Sequence, residues 1–60
     1  MDKAKLADMI INYRAENDLT QEQFAKLVGL SVTTIFNMEN QVYHAKKVNA
    51  RKIQNLIERG

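Results

Sequence analysis

Sixty residues with a formal net charge of +2 leave room for one small hydrophobic core. With no cysteine and a single histidine, neither a disulfide nor a zinc site can staple the chain, so no metal or cofactor is expected. No apolar run approaches the ~20 residues that span a bilayer, and Met1-Asp2-Lys3-Ala4-Lys5 does not lead into an uninterrupted apolar stretch. A membrane span and a signal peptide are therefore unexpected, and the cytosol is the expected location.

The chain contains no proline, and glycine occurs only at positions 29 and 60. Apolar residues recur at helical spacing throughout and nowhere alternate as in a strand, which predicts an all-α domain over residues 1–60. The first helix is expected over Lys3–Glu16 with Asp2 as its N-cap. Leu6, Ile10 and Tyr13 form one stripe with Met9 beside it, and Asn17-Asp18 breaks the pattern. The second helix has a complete start signal. Thr20 and Gln23 are spaced as a capping box, in which each side chain satisfies a free backbone N–H, and Leu19 and Phe24 are spaced as a hydrophobic staple. Phe24, Leu27 and Val28 are expected to face the core, with Ala25 as a small contact. Gly29 falls where a helix ends in a left-handed residue.

A third helix starts almost at once, over residues 32–40, with Ser31 as its cap and Leu30 and Ile35 as a second staple. Two helices joined by about three residues, glycine first, are the local signature of a helix-turn-helix. A polar loop is expected over Gln41–Lys47, with Tyr43 and His44 at its surface. The last helix is expected from about Ala50 to Glu58, with Asn49 as its cap and Val48 and Ile53 as a third staple. Its core face would be Ala50, Ile53, Leu56 and Ile57, opposite Arg51, Lys52, Asn55 and Arg59.

On the third helix the core stripe is narrow, mainly Ile35 and Met38. Val32, Thr33, Phe36, Asn37 and Asn40 lie on the other side. An outward Phe and Val suit a DNA major groove, where the thymine methyl is the apolar feature, while Asn pairs with adenine and Thr serves several base edges. Charge is divided along the chain. Residues 1–30 carry four cations against five acids, and residues 44–60 carry five cations against one acid, so a polyanion would meet the C-terminal half.

The run from Leu19-Thr20-Gln21 through Ala25, Gly29-Leu30-Ser31 and Glu39-Asn40, extended back to Tyr13-Arg14, resembles the helix-turn-helix of lambdoid phage repressors and Cro proteins, the XRE family of regulators. The resemblance implies a lambda-repressor-like bundle of four, at most five, short helices that binds a double-stranded DNA operator. It implies that Gln21 bonds a phosphate, that Ser31, Val32 and Thr33 touch base edges and phosphate, and that Asn37 reaches bases. Asn40 would contact the backbone, with Lys46 and Lys47 along the phosphates. It implies further that Arg14 pairs with Glu39 as a structural and not a catalytic pair, and that two copies occupy a two-fold site. The chain departs from the family in having Gln41 where glycine usually follows Glu-Asn, in lacking proline in the next segment, and in ending at Gly60 before the fifth helix of the family's usual dimer contact.

No Ser or Cys stands with a His and a carboxylate at family-like spacing, and no glycine-rich phosphate loop occurs, so neither catalysis nor a small-molecule substrate is expected. An alternative within the same fold is an antitoxin or anti-repressor that binds another protein, with Phe36 and Val32 as interface anchors. A membrane-active amphipathic peptide is a third reading, and the capping signals oppose it.

Overall fold

The first three helices begin and end at residues that satisfy loose backbone groups. The computed structural model describes residues 2–42 and 45–59, so the surface positions expected for Tyr43 and His44 lie outside the described residues. Four helices follow in order, α1 (Lys3–Asn17), α2 (Gln21–Val28), α3 (Val32–Glu39) and α4 (Lys47–Arg59), and no strand occurs among the described residues. The Asp2 carboxylate accepts the Ala4 N–H at 3.0 Å and starts α1. Asp18, at φ 54°, ends it, and the Asp18 and Leu19 amides both turn back to the Arg14 carbonyl. At the start of α2 the capping box closes in both directions. Thr20 Oγ1 accepts the Gln23 N–H at 3.0 Å, and Gln23 Oε1 accepts the Thr20 N–H at 2.9 Å.

Gly29 ends α2 at φ 74°. A Cβ built there would meet nothing within 4 Å, so the demand for glycine is one of backbone conformation and not of space. Ser31 caps α3 by accepting the Thr34 N–H at 3.1 Å, and the two hydroxyls share a 2.8 Å hydrogen bond. At the other end of α3, Val42 N–H reaches the Asn37 carbonyl at 3.0 Å and Gln41 N–H reaches that of Met38 at 3.2 Å. This is the Schellman pattern, and Gln41 takes its left-handed position at φ 56° where a glycine would be relaxed.

The start of α4 differs from the sequence expectation. The helix begins at Lys47, and the Ala50 N–H bonds the Lys46 carbonyl at 2.9 Å, so Lys46 holds the cap position and Asn49 lies inside the first turn. Val48 is therefore exposed on that turn and not a staple preceding it. Ala45 and Ala50 both pack on the core, and this tertiary anchoring outweighs the weak helix preference of Asn49. Lys47 accordingly belongs to a helix and not to a loop.

Leu6, Ile10, Phe24, Ala25, Val28, Ile35, Met38, Ala50 and Ile53 form one buried cluster, joined at its edge by Tyr13, Leu19, Leu30, Leu56 and Ile57. The Tyr13 and Phe24 rings meet edge to face at 5.8 Å. α3 packs against α1 and α2, and α4 closes the other side of the same two helices. Leu27 is a correction. It is 54% exposed, because the stripe of Phe24, Ala25 and Val28 centres roughly 100° around the helix from it.

Candidate nucleic-acid interface

α2, the turn Gly29–Ser31 and α3 form the helix-turn-helix. With Ile35 and Met38 fully buried, α3 can turn only one side outward. That side carries Val32 (43% exposed), Thr33 and Phe36 (52% exposed), with Asn37 half-buried beside them. These four residues, at i, i+1, i+4 and i+5, share a single helical face. Asn40 follows as the C-cap. Its Nδ2 donates to the Phe36 carbonyl at 2.8 Å, which ties this exposed side chain to the helix end. The Ser31 hydroxyl is occupied as the α3 cap, so any ligand must share it with the helix.

α3 contains one charged residue, Glu39, and that carboxylate is withdrawn. It is only 9% exposed, and a single guanidinium nitrogen of Arg14, Nη1, bridges both its oxygens at 2.9 and 2.7 Å. Arg14 is held in turn by its Nε, which donates to the Leu19 carbonyl at 3.1 Å. Gln21, the first residue of α2, joins the same centre by donating from Nε2 to Glu39 Oε1 at 3.0 Å. Side chains from α1, α2 and α3 thus converge on one carboxylate. No local sequence signal announces the Gln21–Glu39 bond, because it spans two helices and a turn. The outward face of α3 is left without formal charge.

Lys46 and Lys47 stand apart from that face, at the start of α4. Both are exposed. Lys47 lines a groove between the start of α1 and the first turns of α4, together with Asp2, Lys5, Ala45, Ala50, Arg51 and Gln54. Arg51 lies one turn after Lys47 on α4, on the polar side that the sequence predicts for it, whereas no local pattern marks Lys5. The packing of α1 against α4 brings Lys5 beside these two.

A helix-turn-helix exposing a polar and apolar helix face, backed by a partly buried ion pair, defines a class of nucleic-acid-binding module. The helix-turn-helix family of the Cro/C1 type matches residues 10–59, and the chain belongs to that family, the XRE regulators. The match covers α4 as well as the helix-turn-helix itself. The family is one of DNA-binding transcription regulators and is not enzymatic. No curated protein and no solved structure gives a significant match to the chain. Among the described residues, no helix is long and apolar enough to cross a membrane.

Proposed function

We propose that the chain is a single domain, residues 1–60, that binds double-stranded DNA sequence-specifically as a repressor or Cro-like switch protein, with α3 in the major groove. The observation that carries this reading is the outward face of α3, where Val32, Thr33, Phe36 and Asn37 stand together while the helix's one acid is paired with Arg14. Eight residues of α-helix are about 12 Å long, the width of the major groove. In this mode Asn37 pairs with adenine, and Val32, Thr33 and Phe36 meet thymine methyls. Gln21, Ser31, Asn40, Lys46 and Lys47 contact the sugar–phosphate backbone.

Size supports a site read by two copies. The longest extent of the Cα trace is 25 Å, short of the ~34 Å between half-sites one turn apart. Selection from random duplexes, followed by sequencing, tests the proposal. The expected product is a two-fold sequence with A·T pairs under α3, bound with an affinity that falls steeply with salt. Recovery of no preferred sequence would refute specific readout.

The exposure of Phe36 also favours a second reading, an antitoxin or anti-repressor that docks on another protein through the same face. Such an interface, mainly apolar, would be nearly insensitive to ionic strength, and this separates the two.

A further inference from the structure

We infer that Glu39 is a positioning residue for DNA binding: its carboxylate, neutralised by Arg14, holds the Gln21 amide at the start of α2 in the orientation that meets a backbone phosphate. The inference rests on the DNA-binding mode proposed above and adds a role within it for a residue that touches no DNA.

The geometry argues as follows. Gln21 Nε2 donates to Glu39 Oε1 at 3.0 Å. A carboxylate only accepts, so this bond decides which end of the amide lies where, with the NH₂ group at the carboxylate and one of its two N–H donors engaged. The second N–H remains for a phosphate oxygen, which also only accepts. A Gln21 amide turned the other way would aim its carbonyl oxygen at the carboxylate. The bond also restricts the rotamers of a long side chain before DNA arrives, so less conformational freedom is lost on binding.

A bare carboxylate in that position would repel the phosphate it prepares for. Arg14 removes that obstacle, since its Nη1 lies 2.9 and 2.7 Å from the two Glu39 oxygens. The Leu19 carbonyl, accepting from Arg14 Nε at 3.1 Å, fixes the guanidinium immediately before α2 begins. Glu39 closes the base-reading helix, so the phosphate contact at the start of α2 is tied to the far end of α3.

The test measures affinity for the selected duplex with wild type, Gln21→Ala, Glu39→Ala and the double variant. Each single change is expected to weaken binding roughly tenfold, the scale of one charge-assisted hydrogen bond, and the double no more than either single. Ethylation interference on the wild type locates the phosphate that Gln21 meets. A neutral methylphosphonate placed there should weaken wild type and leave both single variants unaffected. Where Glu39→Ala does not fold at the assay temperature, Glu39→Asp makes the same measurement. It keeps the negative charge that Arg14 neutralises and shortens the reach of the carboxylate by one methylene. Multiplicative losses in the double variant, or a methylphosphonate effect that survives loss of the Glu39 side chain, would overturn the positioning role while leaving DNA binding intact. A wild type that binds no duplex would instead overturn the DNA reading, and this role with it.

Discussion

Gln41 is the most informative position at which to perturb the backbone. It is exposed and sits at φ 56°, in the left-handed turn that ends α3. The left-handed conformation costs an L-residue about 1–2 kcal/mol, because Cβ crowds the following carbonyl. Glycine escapes that crowding but loses more freedom on folding, which returns about 0.4–1 kcal/mol of the gain. Gln41→Gly should therefore stabilise the fold by about 0.5–1 kcal/mol. For a domain near this size that raises the thermal midpoint by roughly 2–8 °C, read by circular dichroism at 222 nm. Gly29→Ala is the mirror experiment. A methyl at Gly29 meets no atom within 4 Å, so its cost of about 1 kcal/mol arises from the backbone at φ 74° alone. The reasoning fails if Gln41→Gly melts at or below the wild-type temperature, since the turn would then not hold Gln41 in that conformation.

Removing either Arg14 or Glu39 should cost about 1–3 kcal/mol, because the partner is left partly buried and unpaired. A chemical-denaturation double-mutant cycle with Arg14→Met and Glu39→Met should show a coupling of about 1 kcal/mol or more, and additivity would mean the pair does not form in solution. Asn37→Ala should cost about 1–3 kcal/mol on the preferred duplex and broaden the selected sequence. Lys47→Ala should weaken all duplexes alike and lower the salt slope by about 1, and the opposite pattern would invert the two roles. Replacing thymine by uracil under α3 should cost about 0.8 kcal/mol per contacted methyl, and less in a Phe36→Ala background. An unchanged affinity in wild type would assign Phe36 to a protein partner.

What could be read from the sequence was local. The Thr20–Gln23 box, the Ser31 cap and the glycine at 29 each act within four residues of their own position, and the observed hydrogen bonds occur at those spacings. Periodicity alone was less reliable. Leu27 has the i+3 spacing of a core residue, yet Ala25 and Val28 draw the buried stripe to the other side of Phe24. The start of α4 departs from its local pattern for a related reason. Asn49 has the chemistry of a cap, but the packing of Ala45 and Ala50 starts the helix at Lys47, three residues before the expected Ala50. The Gln21–Glu39 bond and the approach of Lys5 to Lys47 and Arg51 depend on how helices cross, and no local pattern encodes that.

The placement of charge has a consequence for how such a module could evolve new sites. Electrostatic attraction to phosphate is sequence-blind and long-ranged, whereas discrimination between bases needs short contacts on one helix face. Here the two kinds of group are on different elements. The outward side of α3 has no formal charge, and Lys46, Lys47, Arg51 and Lys52 lie at or near the start of α4. In the proposed mode, a substitution at Thr33 or Asn37 changes which bases are preferred while the cationic contribution stays in place. A new specificity then starts from a protein that still reaches DNA. A guanine-reading Arg introduced at position 33 should raise affinity for all duplexes as well as for its own site, because it adds a cation to a face that has none. Asn37→Gln should not, since it changes geometry without charge. Comparing the salt slopes of the two variants on one random duplex tests the division. Equal slopes would mean that the α3 face already works within the phosphate field, and that the separation of charge between α3 and α4 carries no consequence for binding.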